Sequence, residues 1–229
     1  MAASETNLVQ ERYARRKDLG VYSNSPSEYL ARQERERRLI GLIWSCGLRP
    51  MREKTILDVG CGVGNDLLTL IRLGYQPEHL TGCDLLKERA EIARHRLPEA
   101  CSILTGDALE LPLEPVDIVM QSTVFTSLLD YGFQERLADR MWELAGSGIL
   151  WYDFAYDNPH NRDVRGVSLR RIRELFPRGE ITAKRVTLAP PISRRVAKAH
   201  LYGLFNAIPL LRSHLLCWIA KSVSARTID

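Results

Sequence analysis

The chain has 229 residues, 45% of them hydrophobic and 26% charged, with a formal net charge of +4 at neutral pH. That length holds one α/β domain with a full core and little else; the balance of apolar and charged residues is ordinary for a soluble globular protein, and no repeats or low-complexity tracts are present. The charge is unevenly spread: residues 1–161 carry 18 basic and 24 acidic side chains, residues 162–229 carry 14 and 4, so the last third is basic by ten. Scattered arginines read first as a solvated surface and second as a site for an anionic partner.

The elements are predicted in chain order. Met1-Ala2-Ala3-Ser4-Glu5 has no cationic stretch leading into an apolar one, so no secretory signal is expected. The first 25 residues are polar and are expected to be loose at the start. Ser25-Pro26-Ser27-Glu28 then opens a helix that runs to Gly47, with Ser25 as the capping residue and proline at the first helical position. The charged run Arg32–Arg38 within it reads as a solvated face.

A strand at 55–59 enters a turn with glycine at 60, 62 and 64, and a leucine-rich helix follows at 65–73. Strand 80–84, helix 86–96, strand 101–105 and strand 116–121 come next; a helix carrying Leu137, Met141, Trp142 and Leu144 then leads to strand 148–153. This alternation demands a parallel sheet with right-handed crossovers. Beyond it lie a helix at 168–176, a strand at 181–188, a helical insertion at 192–206 and a last apolar run, His214–Lys221, whose periodicity leaves helix and strand open.

Residues 199–220 are long enough to span a bilayer, but His200, Asn206, Pro209, Arg212 and His214 interrupt them, and no transmembrane span is expected. Contact with a membrane surface through residues 192–212 stays open, as does the preferred use as a lid over an acceptor pocket. Five cysteines with no C-x-x-C pair, mostly inside apolar runs, suit reduced thiols and a cytoplasmic location.

The glycine turn carries the chemistry. A turn of bare backbone between strand and helix lets a ligand approach closely. The dinucleotide pattern G-x-G-x-x-G fails here because its third position is Asn65, whereas the third glycine comes one residue early at Gly64. With Asp58 at the strand end, Asp58-Val59-Gly60-Cys61-Gly62-Val63-Gly64 resembles the first motif of the class I S-adenosylmethionine (SAM) methyltransferases. Asp84 ends the next strand, Gly106-Asp107-Ala108 the third, and Val116–Ser122 forms the fourth, all in that family's order.

The resemblance implies a doubly wound, mostly parallel seven-stranded sheet whose last strand is antiparallel, with residues 1–47 as a helical cap and 48–229 as the methyltransferase domain. It implies SAM as methyl donor, with S-adenosylhomocysteine (SAH) as product. Asp58 would handle the methionine ammonium, Gly60, Cys61, Gly62 and Gly64 would wrap the donor, Asp84 with Leu85 would take the ribose hydroxyls, Asp107 with Ala108 the adenine, and Gln121 would lie at the fourth strand's exit. The cap places Tyr22 and Tyr29 as lid residues.

The acceptor is expected at the strand exits, among Phe125, Tyr156 and Arg165, with Arg165 able to pin an anion. That strand exit is not Asn/Asp-Pro-Pro-Tyr, which argues against amide N-methylation. The polar and aromatic segment 151–166 resembles small methyltransferases of polysaccharide and natural-product pathways, implying a hydroxyl acceptor on a sugar-like or small organic molecule. An alcohol must lose a proton as the bond forms, and His160 and Asp153 are the candidate bases, with no metal expected. Two alternatives are an RNA methyltransferase using the basic last third, less favoured for want of stacking aromatics, and a SAM-binding regulator without turnover. Oligomeric state is not readable.

Overall fold

The computed structural model describes residues 4–15, 25–48, 51–158, 161–197 and 200–221. Seven strands form one sheet: β1 (Ile56–Val59), β2 (Leu80–Asp84), β3 (Ser102–Thr105), β4 (Val116–Ser122), β5 (Ala145–Phe154), β6 (Gly179–Leu188) and β7 (Arg212–Lys221), in the order β3-β2-β1-β4-β5-β7-β6. The pairs from β3 through β5 are parallel, while β7 runs antiparallel to both β5 and β6. The last apolar run is therefore a strand. The strand order reverses between β1 and β4, the position at which open α/β sheets bind ligands.

Alternation along each strand splits the core into two layers. One face carries Leu57, Val59, Val119, Ile149, Trp151 and Cys217 under α5 (Tyr131–Leu144) and α6 (Leu169–Leu175). The other carries Ile56, Ile118, Met120, Leu150, Tyr152 and Leu216 under α2 (Pro26–Ser45), α3 (Asn65–Arg72) and α4 (Lys87–Arg96). Helix α2 begins at Pro26 as the sequence predicts, although the Ser25 hydroxyl bonds Ser27 Oγ at 2.8 Å rather than capping the helix. It buries Leu39, Leu42 and Ile43 in the second layer, and Glu34, 2% exposed, accepts the Thr187 backbone N–H of β6 at 2.9 Å.

One expectation changes. The polar N-terminus is not loose over Glu5–Ala14, which forms helix α1, capped by Ser4 and tied to the body of the protein. Glu5 accepts the Leu129 N–H at 2.7 Å, Arg12 bridges Glu5 and the Ser127 carbonyl, and Tyr13 Oη pairs with Ser127 Oγ at 3.0 Å. The insertion between β6 and β7 is helical as expected, built as two short helices, α7 (Pro190–Val196) and α8 (Tyr202–Asn206); between them His200 holds a left-handed φ of 56°. No helix among the described residues is long and apolar enough to cross a membrane.

Candidate active site

A cavity of about 440 Å³ opens at the switch point, walled by the turn after β1, the ends of β2 and β4, helix α1 and the β5–β7 pair. The turn is built for close approach. Gly60, Gly62 and Gly64 all take left-handed φ, and a Cβ on Gly60 would stand 2.4 Å from Val124 Cγ2. Gly64 serves packing instead, since its Cβ would meet Leu97 at 2.8 Å, and it does not line the cavity.

Asp84 fixes the turn's shape. One carboxylate oxygen accepts the Gly62 N–H and the other the Leu86 N–H, each at 2.8 Å. Burial raises its pKa, and those two bonds and the Arg89 charge pull against that rise. Asp107 lines the cavity with Ala108, accepting Thr6 Oγ1 of α1 at 2.7 Å and the Leu109 N–H at 3.0 Å. Cys61 and Leu85 are also in the wall. Asp58 stands behind the turn, 1% exposed, with one carboxylate oxygen lacking a partner among the described residues. Burial foremost, then the Asp66 charge, pushes its pKa well above the usual carboxylate range.

A buried acid with an unanswered oxygen behind a bare-backbone turn, and a second acid organising that turn, fit a ligand carrying an ammonium and a ribose. Gly60, Gly62, Asp84 and Asp107, which line the cavity, are the residues that would hold it, with Asp58 outside the lining behind the turn.

The far wall was not anticipated. Arg35 of α2, Tyr152 of β5 and His214 of β7 close it together. The Arg35 guanidinium lies 4.0 Å from the Tyr152 ring centre and 2.8 Å from Asp66, and the His214 ring stacks on Tyr152 at 4.8 Å. Burial first, and the Arg35 charge second, hold the His214 pKa down at about 3, so the imidazole is neutral near pH 7. A signal for Arg35 was present. Stepping back from Leu39 by fours along α2 gives Arg35, Ala31 and Ser27, so the buried stripe runs into the charged segment.

Several predicted site residues lie elsewhere. Gln121, fully buried, turns into the α5 layer, accepting the Val124 N–H at 3.0 Å. Phe125, equally buried, packs on Trp151 with ring centres 4.5 Å apart. Asp153 is also fully buried and accepts the Thr126 and Phe154 N–H groups at 3.1 and 2.8 Å, so its carboxyl braces the loop after β4 and does not reach the cavity. Strand parity is the reason: residues 149, 151 and 153 point to the α5 side and Tyr152 to the other. Arg165 donates to the Leu129 carbonyl at 3.2 Å and covers the Tyr131 ring, while Tyr156 lies exposed under Arg185. Tyr29 is 55% exposed and accepts from Gln33. Tyr22 and His160 lie outside the described residues.

The Asp153 brace has a pH signature. Burial lifts its pKa from 3.8 to about 7. Between those values the folded protein holds a proton that the unfolded chain has released, so this stability is present below the window and lost as pH rises through about 7. Replacing it with asparagine removes that loss. The Asp153→Asn variant is expected to gain a few kcal/mol relative to wild type between about pH 5 and about pH 8. Denaturant melts of the two proteins at several pH values check this, and because both retain His214, its opposite loss of stability below about 6.5 cancels in the difference.

Residues 56–148 match a family model described as a methyltransferase domain. A trans-aconitate 2-methyltransferase of Rhizobium etli is 28% identical over 192 residues, 80% of this chain and 72% of that protein. Its counterpart in Rhizobium leguminosarum bv. trifolii is 30% identical over 55% of this chain and 48% of its own length. Among solved structures, a magnesium protoporphyrin IX methyltransferase of Synechocystis with bound SAM superposes with a TM-score of 0.67 at 14% identity, over 95% of this chain and 98% of that one. An N-methyltransferase of Bradyrhizobium japonicum in complex with SAH gives 0.65 at 18%, over 96% and 100%. The strand order, the glycine turn and these matches agree: residues 56–148 carry a methyltransferase domain, and the chain has the fold of the class I SAM-dependent methyltransferases.

Proposed function

We propose that this protein binds SAM in the cavity at the switch point and transfers its methyl group to an oxygen of a small molecule. One observation carries the reading: a single cavity has donor-type residues at one end (Gly60, Asp84, Asp107) and a neutral imidazole, a tyrosine and an arginine at the other. SAM supplies a methyl group already activated by its sulfonium. The chain's residues must hold the two reactants in line and keep water out. Helix α1 serves the second need, because Thr6 and Tyr13 lie in the wall and their bonds to Asp107 and Ser127 keep the helix shut over it.

His214 replaces Asp153 as the group that faces an acceptor oxygen. It stacks on Tyr152, meets the tilted Phe154 ring at 3.8 Å and pairs through Nδ1 with Ser213 Oγ at 3.0 Å, so its orientation is fixed. The unpaired cysteines are consistent with a reducing cytoplasm. The relatives named for trans-aconitate support a small-molecule acceptor over RNA. The test is calorimetric titration with SAH and SAM, followed by transfer of labelled methyl from SAM to a panel of small alcohols and acids. Micromolar SAH binding with label on an oxygen acceptor is expected; SAH binding with label only on RNA, or on nothing, would overturn the acceptor class.

A further inference from the structure

A second cavity, of about 590 Å³, lies behind the far wall of the first, between α2, α7 and the β5–β7–β6 edge of the sheet. It shares Arg35, Tyr152 and His214 with the donor cavity, so those three side chains are the partition between two compartments. We propose that this second cavity is the acceptor site and that it takes a small carboxylate, held by the guanidinium groups of Arg32 and Arg194 with Arg35 at the join. The proposal rests on the methyl-transfer reading above and adds to it the place and the charge of the acceptor.

Three observations lead there. The lining is cationic: Arg32, Arg35 and Arg194 against one lining carboxylate, Glu28, with Asp66 paired to Arg35 from the adjoining cavity and His214 neutral. Guanidinium presents paired N–H donors that match the two oxygens of a carboxylate, which a point charge does not.

The wall is also strained in one place. Thr187, which lines this cavity, is β-branched yet holds a left-handed φ of 60°. That conformation persists because Glu34 takes its N–H at 2.9 Å and Tyr152 Oη pairs with its hydroxyl at 3.0 Å. Thr123, at the exit of β4, has φ 57° and gives its N–H to the Tyr152 carbonyl at 2.8 Å. Two strained threonines thus pin the one tyrosine that separates the cavities, and strain of this kind collects at ligand sites.

The third observation concerns the proton. An alcohol must shed one during transfer, yet His214, held neutral beside the Arg35 charge, is a weak proton acceptor. An ionised carboxylate sheds none. Its oxygen lone pair forms the new O–CH₃ bond as the S–CH₃ pair departs to sulfur, and both formal charges vanish together. The imidazole and the Tyr152 ring then position the oxygen without taking a proton.

The experiment is calorimetric titration of the SAH-loaded protein with lactate, succinate, citrate and, separately, inorganic phosphate. At least one carboxylate is expected to bind. Its affinity should fall about tenfold or more in the Arg32→Ala/Arg194→Ala protein, as for loss of a charge-assisted pair. SAH affinity should stay within about twofold of wild type, because neither arginine lines the donor cavity; this also reports that the variant is folded. Binding by no carboxylate, binding undiminished in the variant, or phosphate binding more tightly than every carboxylate would each overturn the proposal. Failure of SAH to bind the wild type is a different result: it strikes the donor reading, and this inference falls with it.

Discussion

Replacing Asp84 with alanine is expected to lower SAH affinity by about a hundredfold or more while changing the stability of the ligand-free protein by no more than about 1–2 kcal/mol. The two effects part because the carboxylate does two things. In the free protein it accepts the Gly62 and Leu86 N–H groups, and it bears the cost of burial that raises its pKa. Alanine loses those bonds and removes that cost together, so the terms offset. In the complex the same carboxylate would also accept ribose hydroxyls, and nothing offsets their loss. The turn itself would loosen as well, since Gly62 holds its φ of 56° against Asp84.

Asparagine at this position keeps an acceptor oxygen without the charge and should fall between alanine and wild type. Calorimetry with SAH and denaturant melts of the free proteins measure the two quantities separately. Unchanged affinity in the alanine variant would remove the donor assignment, whereas lost affinity with a collapse in stability would mean that only folding was measured.

The glycine-turn side of the cavity was legible because its residues lie within short segments whose backbone does the work. A strand that ends in an acid and passes into Gly60-Cys61-Gly62 specifies its turn locally, and the same holds for Asp84 and Asp107 at the next two strand ends. The strand order followed from alternation of apolar runs with helices, so the sheet was legible too. The far wall was not, because Arg35, Tyr152 and His214 come from α2, β5 and β7, whose positions only the fold relates.

Asp153 and Gln121 were misplaced by one step of strand parity: the sequence locates a strand's end to within a residue, and one residue is the difference between the cavity and the α5 layer. Helix α1 escaped notice because Glu5–Ala14 has no strong apolar stripe. What orders it is the set of bonds from Glu5, Thr6 and Arg12 to residues more than a hundred positions away.

The Arg35→Ala substitution is expected to have two separable consequences, and a second substitution tells them apart. Arg35 pairs with Asp66 at 2.8 Å, and both side chains are mostly buried, at 17% and 14% exposed. Removing one member of such a pair strands the other, which costs on the order of 2–4 kcal/mol. The stranded charge also acts on Asp58, whose pKa Asp66 raises and Arg35 lowers, so the buried acid behind the turn becomes harder still to ionise. Replacing Asp66 with asparagine in the same protein relieves both burdens, and the melting temperature of Arg35→Ala/Asp66→Asn should recover most of the loss.

Turnover should not recover with it. If Arg35 orients an acceptor at the partition, the double variant stays about a hundredfold below wild type in kcat/KM, equivalent to about 2.7 kcal/mol of lost transition-state binding. Lysine at position 35 keeps the charge but not the flat guanidinium over Tyr152 and should restore only part of it. His214 provides a readout independent of turnover. With the Arg35 charge gone, its pKa should rise above about 3 but stay below the ordinary 6.5, because burial, the larger cause, remains. Ring-proton chemical shifts followed against pH record that change. Turnover that returns with stability in the double variant would reduce Arg35 to a structural partner of Asp66, and an unmoved His214 would mean that the arginine and the imidazole do not share the site.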